Sequence, residues 1–104
     1  MRAEIFFKDT IKLLEKAPNE WKDPFRYPSF ATIRNNRPQQ RTVVFRHYNP
    51  IMHRVQIYSD PRSQKWDDLS KNPAGHLCFY DMERKLQIRM DIQCRMFKGD
   101  AVDK

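Results

Sequence analysis

The sequence predicts a mainly β protein with helices, arranged as a small antiparallel β-barrel. The first observation is a change in apolar period, which is helical over residues 3–17 and becomes two from residue 29 onward. The second is residues 85–96, whose strict alternation predicts a strand with one apolar face, long enough to bend around a barrel. Short links between strands favour antiparallel pairing, with helices over the barrel openings.

The first half of the chain provides a helix, a connection and two strands. Phe7, Ile11 and Leu14 share one face of an amphipathic helix over residues 3–17. Residues 18–29 contain three of the seven prolines, which predicts an irregular connection in which Trp21 packs into the core. Strands are predicted at residues 29–34 and 42–48, separated by a turn at residues 35–38.

The second half provides three further strands and a short helix between the third and fourth. The strands are predicted at residues 54–59, 75–80 and 85–96. Asp60 is placed to cap the short helix and Pro61 to begin it, and Asn72-Pro73 ends it. We interpret residues 1–104 as one domain, with an N-terminal helix and linker at 1–21, a barrel at 22–97 and a polar tail at 98–104.

Composition restricts the classes of function. The formal net charge of +7 favours an anionic ligand, whether nucleic acid, anionic lipid or a phosphorylated small molecule. Two glycines are too few for a Rossmann fingerprint or a P-loop. Cys78 and Cys94 lack metal or redox spacing and are expected to be free, buried thiols. With no secretory signal and no membrane-length apolar run, the expected location is the cytoplasm.

One group of residues has the chemistry of a phosphate site. Arg41 begins a strand, while Ser63 and Lys65 lie in the first turn or so of the short helix, where unpaired N–H groups favour an anion. Basic residues at helix starts are also common on solvated surfaces. The group taken alone therefore leaves both a phosphate site and ordinary surface charge open.

Four segments together resemble a known family. They are RTVVFRHY (41–48), IYSDPRSQK (57–65), the NP pair (72–73) followed by LCFYD (77–81), and KLQIR (85–89). Their order and spacing over residues 22–93 resemble the pyridoxamine 5′-phosphate oxidase-like flavoproteins, which form an FMN-binding split barrel. Family members continue beyond these segments, so the sequence is interpreted as a short, C-terminally truncated branch.

The resemblance implies a homodimer with FMN at the subunit interface and an unknown small-molecule substrate. It implies that Arg41 and Lys65 contact the phosphate near Ser63, that Arg46 lies near the flavin ring, and that Gln87 hydrogen-bonds the ring. Gln64 stands where family members have a second phosphate-binding arginine, for which Arg62 is a candidate replacement. The implied cofactor-binding residues are Arg41, Thr42, Val43, Val44, Arg46, Tyr58, Ser59, Ser63, Gln64, Lys65 and Gln87.

Arg41 and Arg46 provide a structural test of this interpretation. Five residues apart in a regular strand, they point to opposite faces. If both serve one FMN, the segment between them is expected to contain a bulge or to curve strongly.

Two alternative functions remain open from the sequence. One is a flavin- or haem-binding module without turnover. The other is a basic nucleic-acid-binding barrel whose stacking aromatics are Phe30, Phe45, Tyr48 and Tyr58. No metal site is expected, because His47, His53 and His76 lack metal-ligand spacing. A Cys78–His76 nucleophile pair lacks an orienting third group, and Asp67-Asp68 is interpreted as a solvated helix face.

Overall fold

The structure is a computed structural model that describes residues 11–58 and 62–96. Within these residues the strands are β1 (Ser29–Arg34), β2 (Arg37–Thr42), β3 (Val44–Asn49), β4 (Arg54–Tyr58), β5 (Ala74–Asp81) and β6 (Leu86–Gln93). Residues 11–16 are helical (α1), and short 3₁₀ helices follow at Ala17–Asn19 and Pro24–Arg26. Helix α2, Gln64–Lys71, lies between β4 and β5.

The strands form two antiparallel sheets. The larger sheet has the order β2-β1-β5-β6, and β3 pairs with β4 in the smaller one. Helix α2 packs against β1, which lies inside the larger sheet. The mainly β class with antiparallel strands and helices is therefore confirmed.

The predicted strand at 42–48 is wrong in its boundaries, because two strands meet there. Strand β2 already begins at Arg37, after a two-residue turn in which Asn35 and Asn36 adopt positive φ. Val43 then leaves the larger sheet, and its N–H donates to the Pro28 carbonyl at 3.0 Å. Strand β2 lacks apolar alternation because it is an edge strand, the position where a proline such as Pro38 is tolerated.

The bounds of three other elements also differ from prediction. Helix α2 is capped by Ser63 rather than begun by Pro61, since Ser63 keeps an extended backbone and accepts the Trp66 N–H. Asp60 and Pro61 lie outside the described residues. The last strand ends at Gln93, where its partner β5 begins, so the ladder covers less than the predicted 85–96. Strand β5 is one residue longer at each end than predicted.

The core is built around aromatic side chains from three parts of the chain. Phe79 of β5 meets Phe25 and Phe45 edge-to-face, with ring centroids 5.9 and 5.2 Å apart. Leu14 of α1 is also buried, as its predicted helical face requires. Trp21 is 67% exposed, so the prediction that it packs into the core is wrong; Phe25 fills that position in the Pro-rich connection.

Several predictions lie wholly or partly outside the described residues. They are the helix over residues 3–10, the role of Ser59, and the tail at 98–104. Among the helices at 11–58 and 62–96, none has the length and apolar character needed to cross a membrane.

Candidate functional site

Asp68 joins two elements at the centre of the candidate site. It lies on α2, is only 2% exposed, and accepts hydrogen bonds from Arg34 Nε at 3.0 Å and Nη2 at 3.2 Å. These hydrogen bonds hold the pKa of the Asp68 carboxyl below its ordinary value, and the same contact raises the pKa of Arg34. The forked ion pair therefore fixes the position of α2 relative to β1.

Arg41 lies beside this pair, at the end of β2. Its Nη1 donates to the Thr32 hydroxyl at 2.8 Å and to the Phe30 carbonyl at 3.3 Å. Its Nη2 lies 3.9 Å from Asp68 Oδ2, an ion-pair distance that is too long for a hydrogen bond. Burial lowers the pKa of Arg41, whose side chain is 24% exposed. The guanidinium is thus a partly desolvated cation that pairs with Asp68 without a direct hydrogen bond.

The start of α2 adds polar groups to this region. The Ser63 hydroxyl makes no capping bond; it accepts a hydrogen bond from Lys65 Nζ at 3.1 Å. Gln64 Nε2 donates to Asp67 at 3.2 Å and to Asp68 at 3.5 Å. The structure therefore brings Gln64 and Arg41 to the same carboxylate, and it pairs Ser63 with Lys65 one turn away.

This set of donors fits a phosphate ester. Arg41 and Lys65 supply positive charge, Ser63 supplies a hydroxyl, and the N-terminus of α2 adds its dipole. The nearest buried carboxylate, Asp68, is already paired with Arg34 and so offsets little of that charge. Gln64 uses its amide nitrogen within the protein, which leaves its oxygen as an acceptor unsuited to a phosphate.

The segment from Arg41 to Arg46 is irregular, as one shared ligand would require. Arg41 lies one residue before the end of β2 in the larger sheet, and Arg46 belongs to the smaller sheet on the far side of the break at Val43. The β3–β4 register also shifts between Phe45 and His47, so Arg46 lies in a bulge and is exposed. The alternation that placed the two arginines on opposite faces therefore does not hold here. A shared FMN remains a prediction.

The other predicted cofactor residues in the described part of the chain lie on or between β2, β3, β4 and β6. Val44 pairs with Tyr58 at the end of the smaller sheet. Thr42 follows Arg41 in β2 and therefore faces the opposite side of the sheet. Gln87 is exposed on β6, the opposite edge strand from β2. Three strand spacings of roughly 4.8 Å put these two edges roughly 14 Å apart.

The sequence reading missed three residues of the cluster: Thr32, Arg34 and Asp68. The interpretation of Asp67-Asp68 as a solvated face holds for Asp67, an exposed partner of Lys71 at 3.3 Å, and is wrong for Asp68. A usable signal was present, since residues 65, 68, 69 and 72 share one face of α2. Because that face also includes the apolar residue Leu69, it is the face expected to pack against the protein interior.

Comparison with known proteins identifies the family. The family model described as pyridoxamine 5′-phosphate oxidase, FMN-binding domain, matches residues 8–98. The chain belongs to this family. FMN is therefore its cofactor, and the FMN-binding split barrel that the resemblance implied is confirmed at the level of the family and fold.

Two proteins are similar to this chain over more than half of its length. The Arabidopsis thaliana protein named pyridoxine/pyridoxamine 5′-phosphate oxidase 2 is 39% identical over 66 residues, which cover 62% of this chain and 33% of that protein. A crystal structure of a pyridoxamine 5′-phosphate oxidase-related, FMN-binding protein from Nostoc punctiforme is 28% identical, with a TM-score of 0.69. That match covers 84% of this chain and 46% of the Nostoc chain. The chain thus spans between a third and a half of these relatives.

Other candidate chemistry is weaker. His76 does have an orienting carboxylate, since its Nδ1 lies 2.8 Å from Asp91 Oδ1, but Asp91 is 97% exposed and the pair is a surface contact between β5 and β6. Cys78 and Cys94 are half-buried free thiols, and burial raises the pKa of Cys94. No metal-binding group of three or more His, Cys, Asp or Glu side chains occurs within residues 11–58 and 62–96.

Proposed function

We propose that this domain holds FMN by its phosphate at the Arg41–α2 cluster and serves a pyridoxamine 5′-phosphate oxidase-like oxidoreductase. The carrying observation is the Arg41 guanidinium, which is partly desolvated, is held by Thr32 and the Phe30 carbonyl, and lies 3.9 Å from Asp68 of α2. A cation in such a position gains more from an anionic ligand than a fully hydrated one does. The Lys65–Ser63 pair at the start of α2 is proposed to complete the phosphate site.

The local charges favour an anion. Both acidic residues of α2 have cationic partners, since Arg34 pairs with Asp68 and Lys71 pairs with Asp67. Asp68 is hydrogen-bonded to Arg34 and reaches Arg41 only at the longer distance of 3.9 Å. Of the four aromatic side chains considered for base stacking, only Tyr58 is exposed, which favours a flavin ligand over single-stranded nucleic acid.

A site shared between two copies of the chain is part of the proposal. Arg41 and Gln87 lie on opposite edge strands of the larger sheet, and Gln87 faces away from the core. One cofactor is more easily reached by both residues if they come from different subunits of a homodimer. In this arrangement Arg41 of one protomer holds the phosphate and Gln87 of its partner bonds the ring. Each dimer then has two equivalent sites.

Bound FMN supplies the redox chemistry, and the protein supplies binding, orientation and electrostatics. Arg46, in its bulge, and the Val44–Tyr58 pair provide the side chains proposed to lie along the ring. By analogy with the name of its Arabidopsis relative, we propose pyridoxine or pyridoxamine 5′-phosphate as the class of substrate. The cytoplasm is the proposed location.

The phosphate role of the cluster is tested by comparing FMN with riboflavin, which lacks the phosphate. We expect Arg41→Ala and Lys65→Ala each to weaken FMN binding about tenfold or more, because each removes a charge-assisted hydrogen bond worth about 1.5–3 kcal/mol. Riboflavin affinity should stay unchanged. Quenching of flavin fluorescence gives both dissociation constants.

The matched control is Lys71→Ala, which removes the same charge from the same helix at an exposed position paired with Asp67. It should leave FMN affinity within about twofold of the wild type, as expected for a surface ion pair. Equal losses for FMN and riboflavin in Arg41→Ala would show that Arg41 does not act on the phosphate.

The shared site is tested by mixing two variants, each of which is expected to bind FMN weakly. Arg41→Ala and Gln87→Ala homodimers are each expected to have two damaged sites. A mixed dimer has one site with both substitutions and one site with neither. Because random reassociation makes about half of the dimers mixed, mixing after reversible dissociation should restore about a quarter of the tight FMN sites. If both residues served the same site from one chain, mixing would restore none, and titration of FMN binding stoichiometry distinguishes the two.

Catalysis is tested by anaerobic reduction of the bound flavin. Pyridoxine or pyridoxamine 5′-phosphate should bleach the visible flavin absorbance of the loaded protein, and admission of air should restore it. The matched unphosphorylated compounds serve as controls for substrate class. Tight FMN binding without bleaching by either phosphate would instead assign the domain as a flavin carrier without this activity.

A further inference from the structure

We propose that Thr32 and Asp68 are positioning residues for Arg41, holding its guanidinium in the orientation that receives the phosphate of FMN. This inference rests on the proposed function of Arg41 and concerns residues that touch Arg41 rather than the ligand. It is carried by a continuous hydrogen-bonded chain, Arg34–Asp68–Thr32–Arg41, that crosses β1, α2 and β2.

Thr32 is the connecting member of the chain. Its side chain is 1% exposed, and its hydroxyl oxygen lies 3.5 Å from Asp68 Oδ2 and 2.8 Å from Arg41 Nη1. A hydroxyl has one hydrogen to donate and two lone pairs with which to accept. Because the carboxylate can only accept, the hydroxyl hydrogen points to Asp68 and a lone pair is left facing Arg41. Arg41 can only donate, so this contact uses a hydroxyl lone pair, and Thr32 bridges the two charged groups by accepting from Arg41 and donating to Asp68.

Asp68 is fixed in turn by Arg34. The guanidinium of Arg34 donates hydrogen bonds to both carboxylate oxygens, from Nε to one and from Nη2 to the other. Such a forked contact restricts rotation of the carboxylate more than a single bond does. Arg34 and Thr32 are two residues apart in β1 and share a face with Phe30, whose ring lies 5.7 Å from the Arg41 guanidinium. The network is thus anchored on an interior strand.

These contacts fix which edge of the Arg41 guanidinium is left to bind a phosphate. Thr32 and the Phe30 carbonyl both use Nη1, so the hydrogens on Nε and Nη2 form the edge through which the fork can receive a phosphate. Holding a long side chain in its binding orientation removes an ordering cost that would otherwise weaken the complex. Removing the Thr32 hydroxyl should therefore weaken FMN binding although Thr32 does not touch FMN.

The test uses Thr32→Val, which keeps the shape of the side chain and removes the hydroxyl, and Thr32→Ser, which keeps the hydroxyl. We expect Thr32→Val to weaken FMN binding about threefold to tenfold, the effect of restoring the ordering cost of one long side chain. Thr32→Ser should restore most of the affinity. Riboflavin should bind all three proteins equally, whereas a general packing defect would weaken both flavins.

A double-mutant cycle shows whether Thr32 acts through Arg41. In an Arg41→Ala background, Thr32→Val should cause no further loss of FMN affinity, because the group that it positions is absent. If Thr32→Val does not fold, Asp68→Asn replaces it, with Asp67→Asn as the control for the same charge on an exposed neighbour. Loss of a negative charge alone would strengthen phosphate binding, so an FMN-selective loss in Asp68→Asn supports positioning.

The outcomes separate this inference from the proposed function. FMN affinity that falls in Arg41→Ala but stays within twofold of the wild type in Thr32→Val overturns the positioning role alone. A full additional loss from Thr32→Val in the Arg41→Ala background also overturns it. FMN affinity unchanged in Arg41→Ala overturns the phosphate site, and the positioning role with it.

Discussion

The Arg34–Asp68 ion pair is the interaction on which the candidate site depends. It is formed between a strand inside the larger sheet and a short helix, and its carboxylate is almost completely buried. Removing one partner of such a pair leaves a charge without its counter-ion, which costs much more than losing a surface ion pair. The pair holds α2, which carries Lys65 and is capped by Ser63, against β1, and Asp68 also lies 3.9 Å from Arg41 of β2. In doing so it neutralises Asp68 and leaves the cationic character of Arg41 largely intact.

The second constraint is the break in the chain at Val43. Val43 gives its N–H to Pro28 rather than to a neighbouring strand, and the chain passes from the larger sheet to the smaller one. Arg41 and Arg46 therefore lie on either side of a junction, and the bulge at Arg46 alters its direction again. A ligand at this junction can have its charged end at the larger sheet and an apolar ring along the smaller one. This division matches the two halves of FMN, a phosphate and a flavin.

The parts of the fold that bury apolar side chains could be predicted from the sequence. Strand β6 keeps the predicted alternation, and Leu14 is buried on the expected helical face. Strand β2 could not be found in this way, because the half-buried face of this edge strand carries Gln39 and Arg41 rather than apolar side chains. Asp68 was misread because a charged residue usually lies outside, and only the position of Arg34 on another element explains its burial. Motif spacing identified the candidate donors Arg41, Ser63 and Lys65. A motif gives the order of such residues along the chain, but it does not show which other residues hold their side chains in place.

The central claim is that Arg41 and Lys65 receive FMN through its phosphate, and the ionisation of that phosphate tests it most directly. The second pKa of a free phosphate ester is about 6. Two adjacent cations favour the dianion, so the ³¹P resonance of bound FMN should titrate at lower pH than that of free FMN. Arg41→Ala should move this pKa back toward the free value. A ³¹P titration of bound FMN that matches free FMN, while the flavin fluorescence is fully quenched, would contradict the account.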